Sequence, residues 1–360
     1  MRISLACVGF SMHRVSAVVS SLLFLVLSVP LAVSAAPVER FVMFEGAGGA
    51  TLAGLLTLPD DDDEAPFPAM LLLQGSGPTD RDGNQLPEVR TNLLRQLARN
   101  LADAGIATLR YDKRGMHANA KELPQDFDAL RAFVAWENFV GDAERAYRWL
   151  AADSSIDGER VGIAGHSEGG LIALSIAQQG GSSPKVLVLL STPGRPFGAV
   201  IADQLTGLME RQGATDAQQA EILSADQRIR AAVVATGEIP DDVPPGLQPI
   251  YPQYLGRYYQ SLLQFDPAKA LELYDGPSLV LAGGNDLQVS PERDFRPLSA
   301  ILLAKDNGSA AFIAPGVSHN LKLAAPGESG FEGLIDAGID AELNGWLSQM
   351  LNDESAAFWK

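Results

Sequence analysis

The segment Val161-Gly162-Ile163-Ala164-Gly165-His166-Ser167-Glu168-Gly169-Gly170 sets a serine between glycines where a buried apolar run gives way to a helical pattern. A strand that turns straight into a helix at Gly-x-Ser-x-Gly is too tight for side chains at the flanking positions. It lifts the serine oxygen above the carboxyl edge of a sheet. The turn also puts the backbone N–H of Glu168 at a helix N-terminus, where it can stabilise a forming oxyanion. The chemistry such a turn serves is nucleophilic acyl transfer through Ser167. On its own the pattern marks only a glycine-rich turn, and the strand-to-helix context is what selects the nucleophile reading.

A serine nucleophile needs a base, and the chain has few. His166 adjoins Ser167 and is expected to point away from its oxygen, and His117 lies in a loop well before it. His319, in Ala314-Pro315-Gly316-Val317-Ser318-His319-Asn320, follows the last apolar run and is the candidate base. An acid is expected after the penultimate strand, Ser278-Leu279-Val280-Leu281-Ala282, and Gly283-Gly284-Asn285-Asp286 follows at once. Asp286 is the first choice, to fix the imidazole tautomer and stabilise the imidazolium. Glu292 and Asp294, on the next helical stretch, are the fallbacks. A second oxyanion donor is expected from Gln74-Gly75-Ser76-Gly77-Pro78-Thr79-Asp80-Arg81-Asp82-Gly83-Asn84, with Ser76 or Gly75 donating a backbone N–H. Asp80-x-Asp82-Gly83 also hints at a calcium loop, but Thr91 stands where the closing bidentate glutamate belongs.

The elements that must position these residues alternate. Phe41–Phe44 and Leu52–Leu58 read as an antiparallel pair. Ala69–Leu73, Ile106–Tyr111, Arg160–Ala164, Val186–Leu190, Pro277–Ala282 and Ala311–Ile313 read as strands of a sheet covered on both faces. Helical stretches lie between them at Arg90–Ala104, Phe139–Ala152, Glu168–Gln179 and Glu292–Ala304, and Glu332–Leu351 closes the chain. This alternation predicts an α/β architecture with a mostly parallel, doubly wound sheet. Residues 195–265 break it. They hold helical patterns at Val200–Arg211, Ala217–Ala235 and Tyr254–Leu263, separated by the proline-rich Ile239–Pro252, and predict a helical cap inserted between the core segments 36–194 and 266–360. Cap residues expected near the substrate are Met209 and Tyr254, with Leu205, Leu208 and Tyr258, although at helical spacing they could equally form the cap's own core.

With a formal net charge of −17 and no cluster of Lys and Arg, nucleic acid is excluded as a partner. Residues 1–35 read as a signal peptide: a basic flank at His13 and Arg14, an apolar Ala17–Ala32 too short to span a membrane, and Val33-Ser34-Ala35 before a cut ahead of Ala36. Translation could begin at Met1 or at Met12. Export then leads to the periplasm or out of the cell. The single cysteine, Cys7, lies in this leader, so a cysteine nucleophile and a disulfide framework are excluded from the remainder. The acidic run Asp60–Glu64 reads as a solvated loop. No metal or organic cofactor is implied.

Taken together, Gln-Gly-Ser-Gly-Pro-Thr-Asp-Arg-Asp-Gly-Asn at 74–84, Tyr-Asp-Lys-Arg-Gly at 111–115, Gly-His-Ser-Glu-Gly-Gly at 165–170, Gly-Asn-Asp-Leu-Gln-Val at 284–289 and Gly-Val-Ser-His at 316–319 resemble bacterial α/β-hydrolase carboxylesterases of the EstD type. The resemblance spans about Val38 to Leu351 and departs after Gly115, where Met116-His117-Ala118-Asn119 replace a second glycine and a serine. It implies the α/β-hydrolase fold, Ser167, Asp286 and His319 as a triad in that fold's chain order, and hydrolysis of short-chain esters. Arg114 is expected to be structural, pairing with Asp80 or Asp82. Two other readings stay open: an aminopeptidase or amidase on the same triad, which needs an acidic anchor for the substrate amine, and a binding protein that kept the fold without activity.

Overall fold

The computed structural model describes residues 37–60, 65–180 and 183–352. The leader with Cys7 and most of the acidic run lie outside them. Within them, short runs rich in leucine, valine and alanine form one eight-stranded sheet. Strand β1 (Val38–Glu45) pairs antiparallel with β2 (Thr51–Leu58), and β2 pairs antiparallel with β4 (Ala107–Tyr111). From β4 onward every neighbour is parallel, through β3 (Phe67–Leu73), β5 (Ile156–His166), β6 (Leu187–Leu190), β7 (Ser278–Gly283) and β8 (Ala310–Ala314). The order is β1-β2-β4-β3-β5-β6-β7-β8.

Strand β3 explains why such runs are continuously apolar. Its side chains alternate, so Phe67, Ala69, Leu71 and Leu73 enter one core and Met70 and Leu72 the other. Helices α1 (Leu93–Asp103) and α10 (Ala337–Asn352) cover the second face with Leu94, Leu97 and Leu101, and Ile339, Leu343 and Leu347, at helical spacing. The opposite face is covered by α3 (Trp136–Ala151), α4 (Glu168–Gln179), α8 (Pro267–Leu273) and α9 (Arg296–Leu303). A short helix, α2 (Phe127–Phe133), precedes α3 and starts on the cap Asp126, whose carboxylate accepts the Ala129 N–H.

Between β6 and β7 no strand occurs among the described residues. This stretch holds α5 (Phe197–Arg211), α6 (Asp216–Thr236) and α7 (Gly256–Leu262). Thr215 and Gln218 form a reciprocal capping box at the start of α6, and Gly237 ends it in the left-handed conformation. Helix α8 follows with Asp266 as cap and Pro267 in its first turn, and it packs against α4 and α9 as part of the main layer.

Two helical expectations shift. The closing helix begins at Ala337, not Glu332, because Gly330 and Gly333 take φ of +59° and +92° and Asp336 then caps the N–H groups of Gly338 and Ile339. The stretch expected from Glu292 opens as a wider, π-type turn over Pro291–Phe295 before α9 takes over.

Candidate active site

Ser167 stands alone between β5 and α4, at φ +55° and ψ −121°. A non-glycine residue reaches that region only when its surroundings force it. Here β5 is locked in the sheet on one side, the Ser167 N–H donates to the Leu190 carbonyl at 2.8 Å, and α4 must pack immediately. The flanking glycines are steric necessities. A Cβ on Gly165 would lie 2.2 Å from the Gly169 carbonyl oxygen, and one on Gly169 would lie 2.4 Å from that of Leu73.

His319 sits in the turn after β8, and its Nδ1 lies 2.8 Å from Asp286 Oδ2. The other carboxylate oxygen of Asp286 accepts the N–H groups of Gln288 and Val289 at 2.8 and 2.9 Å. Asp286 and His319 are both buried, so the pair is held in one orientation away from competing water. Ser167 and His319 line the same cavity of about 190 Å³, together with Ser76, Gln74, His166 and Asn320. The structure thus brings Ser167, His319 and Asp286 to one place at the carboxyl ends of β5, β7 and β8.

The other candidates go elsewhere. Asp294 is wholly buried and accepts from Arg195, from the Gly194 N–H and from the Ser290 N–H, fastening the stem of α5 to the loop after β7. Glu292 pairs with Arg296 at the surface. His166 packs against His319 with ring centroids 4.7 Å apart and donates its Nε2 hydrogen to the His319 carbonyl oxygen at 2.9 Å. Burial, and then the neighbouring imidazole, push its pKa down to about 3, so it is a neutral prop against His319. His117 contacts the Pro78 carbonyl oxygen through Nε2.

The Gly75–Gly77 loop runs beside the elbow, so close that a Cβ on Gly75 would lie 3.3 Å from Ser167 Cβ. Its carbonyls are held one by one. Gly75 and Gly77 accept from Lys113 Nζ at 2.7 and 3.1 Å, and Ser76 accepts from the Thr79 hydroxyl at 2.8 Å and Gln85 Nε2 at 2.9 Å. The aspartates that follow shape this loop. Asp80 accepts the N–H groups of Asp82 and Asn84, and Asp82 pairs with Arg110. No group of three His, Cys, Asp or Glu side chains among the described residues could hold a metal ion. Arg114 pairs with neither Asp80 nor Asp82. It binds Asp142 of α3 through two hydrogen bonds, 2.7 and 2.5 Å, and lies over the Phe133 ring.

Beneath the cap lies a second cavity of about 450 Å³ that Ser76 also lines. Leu205, Leu208, Tyr254 and Tyr258 face it. Met209 does not: its neighbour Leu208 takes the cavity side of α5, and Met209 turns into the buried core. The floor holds Lys113 and Glu168, with Glu168 accepting from Lys113 at 3.4 Å and from the Tyr258 hydroxyl at 2.5 Å. Tyr258 was expected here as an apolar wall and not as a hydrogen-bond donor, and sequence reasoning passed over Lys113 as a site residue. The available signal was a lysine two residues past the wholly buried strand β4, where a cation must find partners.

Comparison with known proteins bears on the fold and on the kind of protein this chain is similar to. Residues 90–239 match the family model described as serine aminopeptidase, S33. Esterase EstD of Thermotoga maritima is 28% identical over 243 residues, covering 68% of this chain and 52% of that protein. The chain therefore spans about half the length of this curated relative. The likeness to EstD-type esterases read from the motifs is borne out over that stretch. Est1E of Butyrivibrio proteoclasticus, solved with ferulic acid, superposes with a TM-score of 0.52 at 16% identity, covering 86% of this chain and 98% of the other. A puromycin-hydrolyzing peptidase of Mycobacterium tuberculosis gives 0.54 at 18% identity, covering 88% and 40%. At such identities these structures speak for fold alone, and the fold is that of the α/β hydrolases.

Proposed function

We propose that this chain is a serine hydrolase that cleaves uncharged carboxylic esters through an acyl-enzyme. His319 takes the Ser167 proton, and Ser167 attacks the ester carbonyl. The N–H groups of Glu168 and of Ser76 or Gly75 receive the oxyanion, and Asp286 holds the imidazole and its charge. The alcohol leaves with the proton from His319, and water activated by the same imidazole releases the acid. The observation that carries this reading is the forced backbone of Ser167 in a cavity shared with an imidazole whose far nitrogen is already bound to a buried carboxylate.

The serine aminopeptidase likeness favours a second reading, cleavage beside a free α-amine. Charge in the two cavities argues for the ester. Among the described residues that line them, Glu168 is the only carboxylate, and Lys113 and the Tyr258 hydroxyl already occupy it. An ammonium group brought there would have to displace an existing ion pair. The apolar walls support a small acyl group, and about 450 Å³ leaves room for chains longer than acetyl.

The test is a fluorophosphonate probe with a panel of p-nitrophenyl esters and aminoacyl p-nitroanilides. Labelling of the wild type and loss of label in Ser167→Ala are expected, with kcat on esters falling by roughly three orders of magnitude or more. Ester turnover that survives the substitution removes Ser167 from the mechanism. Anilides cleaved better than esters would hand the site to the aminopeptidase reading.

A further inference from the structure

We propose that Lys113 is a positioning residue that aims the second oxyanion donor, and that Tyr258 of the cap sets Lys113 through Glu168. The proposal rests on the ester-hydrolase reading above. In a trans peptide, C=O and the following N–H point to opposite sides. Gly75 directs its carbonyl oxygen at the Lys113 ammonium, 2.7 Å away, so the N–H of Ser76 in the same peptide is turned the opposite way. Gly77, two residues on, is held by the same ammonium at 3.1 Å, which leaves the loop no freedom to rotate about Ser76. Ser76 itself lines the cavity that holds Ser167 and His319, and no acceptor among the described residues is paired with its N–H.

The ammonium is in turn held from the cap side. Glu168 supplies one oxygen to Lys113 and the other to the Tyr258 hydroxyl of α7. Tyr258 is fixed edge-on against Trp136 and Phe139 of α3, so its hydroxyl has a defined direction. All three polar groups are buried, where a half-satisfied network is costly and a complete one is rigid. Glu168 also carries the first oxyanion donor on its own backbone. One side-chain network therefore ties both donors to the position of the cap, and seating of the cap and readiness of the oxyanion hole are linked.

A wall residue and an aiming residue leave different kinetic signatures. A wall residue acts on KM, and its effect grows with the length of the acyl chain that touches it. An aiming residue acts on kcat and equally for acetyl, which is too small to reach the cap. Wild type, Lys113→Met and Tyr258→Phe are compared on p-nitrophenyl acetate and hexanoate, with thermal melts to verify folding. Lys113→Met is expected to lower kcat about 100-fold on both esters, as loss of one oxyanion donor does, with KM nearly unchanged. Tyr258→Phe, which removes one oxygen and keeps the ring, is expected to lower kcat roughly tenfold on both, as loss of a hydrogen bond to a charged group does. Should Lys113→Met fail to fold, Tyr258→Phe decides alone. Unchanged kcat in Tyr258→Phe, or a loss confined to KM on hexanoate, overturns the proposal and leaves Tyr258 as a wall. A wild type that hydrolyses neither ester and takes no fluorophosphonate fails the ester-hydrolase reading itself, a different result from active protein with indifferent variants.

Discussion

Ser167 is held where glycine would be more at ease, and this separates stability from activity at one residue. Strain at such a φ costs about 1–3 kcal/mol, whereas glycine adds only about 0.5–1 kcal/mol of backbone entropy to the unfolded chain. Ser167→Gly is therefore expected to be inactive yet about 1 kcal/mol more stable than wild type, read from urea denaturation. A less stable glycine variant would mean that the serine conformation carries no strain. A second expectation concerns His166, whose pKa falls from an ordinary value near 6.5 to about 3 in the folded protein. Between those values the unfolded chain binds a proton that the native state refuses. Stability is therefore complete above about pH 6.5 and declines as pH falls toward 3, with a slope from this group of at most about 1.4 kcal/mol per pH unit. His166→Asn removes the group, so its unfolding free energy should fall less between pH 7 and pH 4.5 than that of the wild type. Parallel curves would show that His166 titrates normally.

Among the elements, α5 offers the sharpest test because adjacent residues on it do different work. Leu208 faces the cap cavity and is half exposed, whereas Met209 is buried in the core. Leu208→Ala is expected to change the ratio of kcat/KM between acetyl and hexanoyl esters at little cost in stability. Met209→Ala is expected to cost about 2–4 kcal/mol with that ratio preserved. The reverse pattern would turn the helix around. The same pair marks where sequence reading ends. Alternating strands and helices, the tight turn at Ser167 and the placement of His319 after the last strand were legible because steric rules act over a few residues. Which face of a cap helix meets a cavity is decided by partners far along the chain, and periodicity alone put Met209 forward where Leu208 is the residue that faces the cavity. Lys113 and Gln85, and the carboxylate partner of the Tyr258 hydroxyl, escaped notice for a related reason: each contact involves a loop or carboxylate that only the fold brings near. Helix α8 was missed although Asp266-Pro267 announces it, since seven residues are too few for a periodic signal.

For the whole molecule, export remains a proposal carried by residues 1–35, while the described core begins at strand β1 and every site residue lies in later elements. Protein recovered after export is expected to start at Ala36 or a near neighbour by N-terminal sequencing, and a chain starting at Ala36 should fold and cleave esters. An exported form that retains Met1 or Met12 would contradict this. At the same scale, the buried carboxylate of Asp294 has a bearing on how such a protein can diversify. Its oxygens are shared between Arg195, at the root of the cap, and the loop that carries Asp286. Arg195 and Arg293 both reach Asp203 on α5, which closes a ring of charges around that root. A cap transplanted from another hydrolase without its own Arg195 would leave Asp294 buried and unmatched, a loss of about 3–5 kcal/mol. The cap is therefore not a free cassette: the roof of the cavity and the loop whose Asp286 holds His319 have to be exchanged as one part.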